Sequence, residues 1–463
     1  MCTTCLAELG AREFSGLERQ VGPVAAKVPE IRCLSENAVS VDSAGRVPIV
    51  CGSRSSGIGD RSTKLEGSFD PMTFLPLSNN RLHSRIHYVD SLRVLLMFLG
   101  IPFHAAFVYS GLPWYTGENG NRVISAVAAF IHTFRMPAFF LVAGIFAARA
   151  ITKTTLGTWM RFRLRRLAVP FIAGTAILGP IQLLIIAKTQ SGPPDLVVRW
   201  TAMLAFPSLW VFQLWFLLNL LIYSAILAVC VLVFGRDRIS TCVDRFVEVC
   251  TPGRTRIFLA LAACGAAVTV LWAATVFIGI DSVALGFVST RLLVLDAPTF
   301  ALGVAIGYRD DLLVRFSSCS AATAAMTVVS AMLLAWVAGV DSLVAEFGEH
   351  FMIPVVGIAM ASVLMTAARK FLDTSTRITS YLADAAMTVY IFHNALILAL
   401  AMVLLNYALP GPVEYVVIIV ITTAASLLIH AAISRVGILS VLFNGRRGRR
   451  SSAVPQPGSA ITT

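Results

Sequence analysis

The chain has 463 residues, of which 57% are hydrophobic and only 13% charged, with a formal net charge of +12. Soluble domains carry about 25% charged residues, so this composition excludes an ordinary soluble fold and points to a protein that crosses the bilayer many times. The basic residues sit in the loops between apolar runs and not in a patch interleaved with aromatics, so the positive charge reads as a signal of membrane orientation, with no nucleic acid as partner.

Residues 1–84 are polar and without sustained periodicity, and are expected to form a disordered N-terminal tail. The start shows no basic stretch followed by an apolar core, so no signal peptide is read there. Cys2 and Cys5 form a CxxC, but no second half follows at zinc spacing, and no metal site is expected. Ten apolar segments then run at about 88–109, 124–148, 167–188, 210–234, 256–279, 287–308, 319–340, 351–368, 383–407 and 412–434. Each is near the roughly 20 residues that a spanning helix needs. The sixth contains Asp296 and Pro298, and the eighth is short. No internal repeat and no inserted soluble domain is visible. Residues 85–435 thus read as one transmembrane domain, and 436–463 as a basic, disordered C-terminal tail.

The expected fold class is all-α and polytopic, with about ten transmembrane helices in the lipid bilayer of the cytoplasmic (inner) membrane. Alternation of the segments collects Arg149, Arg161, Arg163, Arg236, Arg315 and Arg369 on one side with both termini. The other side holds Arg122, Lys188, Arg199 and Arg291 with an acidic loop bearing Asp341, Glu346 and Glu349. Basic loops stay in the cytoplasm, so both termini are placed there.

The first segment carries the most informative pair. Arg93 and His104 are eleven residues apart, which on a straight helix puts them on one face about 16 Å apart along the axis. Ionisable groups inside a span are costly and usually face a partner or a wet cavity, so the pair suggests an elongated polar slot. A plainer reading pairs Arg93 with Asp90, three residues earlier, and makes His104 an interior histidine bridging helices. In the second segment His132 and Arg135 share a helix face, and Pro137 frees a backbone carbonyl. The run from Arg161 to Pro170 is strongly basic. Its guanidinium forks suit phosphate oxygens, although a basic stop after a span looks the same. His393 is a third intramembrane histidine, read either as a cavity group or as a helix–helix hydrogen bond. His430 reads as structural. Gln213 and Trp215 read as part of an aromatic belt at the outer interface.

These motifs together resemble one family. The stretch YVDSLRVLLMFLGIPFHAA resembles the opening of the membrane-bound acyltransferase-3 family. FRMPAFFLVAGIF, the basic run ending RRLAVP, QLWFLLNLLIYS and YLADAAMTVYIFH are similar to later motifs of that family, in the right order. The FRMP and LGIPFHAA variants look most like its branch that succinylates periplasmic glucans. The resemblance covers about residues 85–435. It implies transfer of an acyl group, acetyl or succinyl, from cytoplasmic acyl-CoA to a hydroxyl of an extracytoplasmic carbohydrate. Carried over by motif, His104 and Arg93 would be catalytic, and Arg163, Arg166 and Arg135 would bind the acyl-CoA. His393, His132 and Asp90 would line the substrate site. One departure stands out: Ala143 precedes Gly144 where the family often has a serine.

Imidazole has an unperturbed pKa near 6.5 and can deprotonate a hydroxyl around neutral pH. His104 would act as that base or carry the acyl group covalently. The competing class is an exporter of a polar or acylated metabolite. Against it, the polar residues crowd into the first two segments and not into matched positions of two halves.

Overall fold

The computed structural model describes residues 86–445, apart from 110–120, 191–195, 205–206, 251–253, 279–282, 285–287, 338–342, 375, 405–406 and 408. The N-terminal tail expected over 1–84 lies outside the described residues, as do residues 446–463.

The first apolar segment folds as two helices, α1 (His87–Phe98) and α2 (Gly100–Val108), separated at Leu99. The cause is local. Pro102 has no N–H to offer the Phe98 carbonyl, and Gly100 disfavours a helix interior. The interruption is slight: Leu99 keeps right-handed helical dihedrals, its N–H donates to the Leu95 carbonyl at 2.9 Å, its carbonyl accepts from the Phe103 N–H at 3.3 Å, and His87–Val108 makes one span of 22 residues that carries both Arg93 and His104. Helix α3 (Arg122–Lys153) is capped by Asn121, whose side chain accepts from the N–H groups of Val123 and Ile124. Helix α4 (Leu156–Arg163) runs through a π-turn, Leu164–Ala168, into α5 (Val169–Gln190). Pro170 cannot close the normal bond to the Arg166 carbonyl, and the N–H of Val169 reaches back five residues to Leu164.

Helix α6 (Leu196–Leu204) and two 3-10 turns, Pro207–Trp210 and Phe212–Leu214, lead into α7 (Trp215–Phe234). Helices α8 (Arg236–Cys250) and α9 (Arg254–Ile278) follow. A short antiparallel hairpin of β1 (Val283–Ala284) and β2 (Val288–Ser289) pairs Val283 with Ser289. Helix α10 (Thr290–Tyr308) turns by 119° into α11 (Asp310–Phe316). Helices α12 (Ala321–Val337), α13 (Leu343–Phe371), α14 (Arg377–Leu404), α15 (Gly411–Arg435) and α16 (Gly437–Asn444) complete the chain.

The protein is an all-α, polytopic membrane protein. Eight described helical stretches are long and apolar enough to cross a bilayer, α10 with α11 makes a bent ninth, and α12 supplies a shorter apolar helix. Large apolar side chains such as Phe277 (85% exposed) and Leu232 (75% exposed) point outward. That would be costly in water and is expected against lipid. Three elements differ from the sequence reading. The eighth segment is not short, since α13 extends to Leu343–Phe371. The loop after α7 holds the amphipathic α8, whose Val243 is buried. The tail expected to be disordered from 436 begins with α16. That helix buries Phe443, and the Asn444 amide donates to the Asp384 carbonyl at 3.0 Å. It stops at Gly445, in the left-handed region at φ 62°, where a Cβ would come within 2.7 Å of Arg166 Cα.

Contacts between loops respect the alternation of spans. Arg149 pairs with Asp310, Arg309 with Asp244 at 2.5 Å, and Arg236 donates to the Thr154 carbonyl at 2.6 Å. Ser91 reaches the Leu372 carbonyl at 3.3 Å. All of these belong to connections counted on one face. On the other, Tyr109 donates to Glu414 at 3.0 Å.

Helix α3 lies at the centre. It meets α10 through Gly144, Gly303 and Gly307, and a Cβ at Gly144 or Gly303 would collide with the Phe300 or Leu141 carbonyl. Lipid tails offer helices no hydrophobic drive to associate, so such close backbone approach does that work. A Gly303→Leu variant is expected to lower the apparent melting temperature in detergent by about 5 °C or more, as for other severe core overpacking. Unchanged thermal unfolding would show that α3 and α10 do not meet this closely.

Candidate active site

A small cavity lies among α1, α2, α3, α7 and α14. Met97 from α1, His104 from α2 and Arg135 from α3 line it, with Gln213, Trp215 and Tyr390 opposite. Its volume is about 30 Å³, room for about two waters. Both Met97 and Met136 border it, and unbranched thioethers repack readily.

The polar groups around this cavity come from three helices. The Arg135 guanidinium lies 4.3 Å from the centre of the Phe103 ring, a cation–π contact. The His132 ring stacks on Phe103 at 5.6 Å. His104 and His393 face one another with ring centres 5.1 Å apart. Gly100 leaves the space in which Arg135 and His393 approach α2: a Cβ there would be 3.0 Å from Arg135 Nη1 and 3.5 Å from His393 Nε2.

His393 is 1% exposed, and its Nδ1 lies 2.7 Å from the Tyr390 carbonyl and 3.1 Å from that of Val389. A carbonyl can only accept, so Nδ1 carries the proton and the neutral ring leaves Nε2 as a lone-pair base. That Nε2 has no hydrogen-bond partner among the described residues, and neither have Arg135 Nε and His132 Nδ1. Buried polar atoms without partners are costly; Arg135 lines the cavity, while His393 adjoins it beside His104 and His132 lies against Phe103.

A second cluster lies toward the basic face. Arg93 stands 3.6 Å from Asp90 and over the Phe146 ring at 5.5 Å. Arg163 packs over Trp159 at 5.3 Å and lies within electrostatic range of Arg93. Arg166, on the π-turn, packs over Phe162 at 5.7 Å. The expected site residues thus fall into two groups. His104 and Arg135 line the cavity, and His393 and His132 pack beside them against His104 and Phe103. Asp90, Arg93 and Arg163 gather below it with Arg166 nearby, and Arg93 does not line the cavity. Both the ion pair with Asp90 and the proximity to Arg163 are realised for Arg93.

Gln213, Trp215 and Tyr390 are the cavity residues that the sequence reading did not assign. Gln213 and Trp215 were expected at the outer interface; instead Gln213 is 5% exposed and both line the cavity. An amide within an apolar run was the available signal. His430 bonds Thr388 Oγ1 at 3.1 Å, away from the cavity, as a structural residue would. Among the described residues no group of three His, Cys, Asp or Glu gathers as metal ligands do.

A family model described as an acyltransferase domain matches residues 86–431. The chain belongs to the acyltransferase-3 family. It is accordingly an acyltransferase and a multi-pass membrane protein, and the exporter reading falls away. Within the family it is similar to the glucans biosynthesis protein C of Salmonella heidelberg strain SL476, at 24% identity over 374 residues. That match covers 78% of this chain and 95% of the relative. The proteins of the same name from Salmonella schwarzengrund and Salmonella typhi are equally similar, at 24% identity. No solved structure matches the chain.

Gly100→Ala provides a test of the cavity geometry. The new methyl would crowd the mobile end of Arg135, so the fold is expected to tolerate it within about 1 kcal/mol while acyl transfer falls about tenfold or more. Equal activity in the variant would show that Arg135 and His393 need not approach α2 at this point.

Proposed function

We propose that this acyltransferase moves an acetyl or succinyl group from a cytoplasmic acyl-CoA to a hydroxyl of an extracytoplasmic carbohydrate, such as a periplasmic glucan. The observation that carries the reading is a cavity lined by His104 and Arg135, with His393 packed beside His104 and a separate arginine cluster nearer the basic face. The carbohydrate acceptor and the succinyl group rest on the similarity to glucans biosynthesis protein C and on the motifs of that branch. The cytoplasmic side of the donor rests on the basic loops, which stay inside.

In this mechanism the acyl-CoA phosphates meet Arg163 and Arg166, Arg93 steadies the donor, and the pantetheine arm threads toward His104. The acceptor enters from the opposite face. His104 takes the proton of the acceptor hydroxyl as its oxygen attacks the thioester carbonyl. A guanidinium in the same cavity is suited to the oxyanion that develops, and Arg135 is the group placed to offer it. The C–S bond then breaks, and His104 returns the proton to the departing thiolate. His393 presents Nε2 as a second acceptor for substrate hydroxyls. Asp90 holds the Arg93 fork, and His132 holds the Phe103 ring against which Arg135 packs.

The assay is thiol release from acetyl-CoA and succinyl-CoA by the purified protein, with and without a glucan. His104→Ala is expected to abolish acceptor-dependent release while the protein still inserts in the membrane. An active alanine variant would remove His104 from the chemistry. Arg93→Lys is expected to lose about tenfold or more in kcat/KM for the donor, because a point charge does not replace a planar fork; near-parental values would leave Arg93 as a simple partner of Asp90.

A further inference from the structure

The 3-10 turn ahead of α7 is held in place with unusual force. Tyr390 of α14 donates its hydroxyl to the Gln213 carbonyl, and Gln213 Nε2 donates back to the Ile391 carbonyl at 3.0 Å. The Tyr390 carbonyl in turn accepts from His393. Gln213, Tyr390 and His393 are thus one connected set. Just before it, Phe212 has φ 41°, and it is the one described non-glycine residue in the left-handed region. A bulky side chain rarely adopts that conformation, and such strain persists where the surroundings over-determine it, often at a working site.

The bond to Ile391 also fixes which way the Gln213 side-chain amide points. The Ile391 carbonyl requires a donor, so the nitrogen faces Ile391 and the oxygen faces the other way. Gln213 lines the His104 cavity, and its Oε1 is buried without a hydrogen-bond partner among the described residues. This oxygen can only accept, so it cannot stabilise an oxyanion; of the two N–H groups on the nitrogen, one is held by the Ile391 carbonyl.

We infer that Gln213 is a substrate-binding residue whose Oε1 accepts a hydrogen bond from a hydroxyl of the acceptor, beside the one that is acylated. The inference rests on the proposed acyl transfer to a carbohydrate. A sugar presents several O–H donors at close spacing, whereas the thioester end of the donor needs hydrogen-bond donors from the protein, which this oxygen is not. The bond from Gln213 Nε2 to Ile391 and that from Tyr390 to the Gln213 backbone hold this oxygen in place in the cavity that His104 also lines, so one hydroxyl is read while its neighbour reacts.

The test compares the parent with Gln213→Leu and Gln213→Met in detergent, by initial rates of acyl transfer at varied glucan and varied acyl-CoA. Both variants are expected to raise the KM for the acceptor about tenfold, the scale of one lost hydrogen bond, and to leave the KM for the donor within about twofold. Methionine, unbranched and of similar length, covers the case in which leucine does not fit, and thermal stabilisation by acyl-CoA confirms that each variant is folded. An unchanged acceptor KM in a folded variant, or a rise in the donor KM instead, would overturn the assignment. Absence of transfer by the parent with any donor and acceptor would overturn the proposed function, and this inference with it.

Discussion

Arg135 puts a guanidinium among helices α2, α3 and α14, within the membrane-spanning part of the chain, where a charge taken from water costs several kcal/mol unless it is met. Among the described residues no carboxylate pairs with it. What meets it is the face of Phe103 at 4.3 Å, and what makes room for it is a glycine at the break between α1 and α2. The rest of the site follows from that compromise. Beside the cation, His104 and His393 bring their ring centres to 5.1 Å. A cation left without a counter-charge is a poor device for stability and a good one for a reaction in which negative charge appears on the substrate.

The two groups of polar residues make chemical sense as the two ends of a path. The upper one holds the imidazoles and has almost no free volume. The lower one, Asp90, Arg93 and Arg163, sits beside the π-turn, where Pro170 has widened the helix. A wide turn bearing Arg165 and Arg166 displays its side chains differently from a regular helix, and α16 ends against it with Gly445 pressed on Arg166 Cα. The C-terminal helix therefore buttresses the basic end, which gives a structural reason for residues that composition alone had assigned to a loose tail.

Much of this was legible in the sequence. Hydropathy located the spans because a bilayer leaves the chain few choices, and the apolar segments recur as helices. The cluster of His104, His132, Arg135 and His393 was legible too, since ionisable groups in a span rarely lack a purpose. The irregular turn at Leu99 was harder to read: Pro102 removes one helical bond there, while the span carries on through it. Gly303 and Gly307 form a small-residue spacing in α10 that was there to be read. The helix gains its hold from backbone contact with α3 and not from an apolar stripe. Gly144 belongs to the same contact, and Ala143 beside it is buried in the core. The position that often holds serine in this family is thus part of packing here. Gln213 was not legible, because its location depends on a 3-10 turn with a strained Phe212 that no local pattern announces.

The cavity as it stands is too small for a thioester and a sugar together, so something must give when substrates bind. Helix α2 is a poor candidate. Tyr415 donates to the Pro102 carbonyl at 3.0 Å and Tyr109 donates to Glu414, so the first turn of α15 grips α2 near both ends. The turn at Gln213 is clasped twice to α14. The remaining walls are Met97, Met136, Leu96 and Phe139, apolar side chains of which the two methionines have many accessible rotamers. Space for the acyl group is then most cheaply made by side-chain motion on α1 and α3, while the polar groups on α2, α14 and the turn keep their positions. Such a division suits the chemistry: His393 and Gln213 are tied to backbone carbonyls, and the side chains that yield most readily are thioethers.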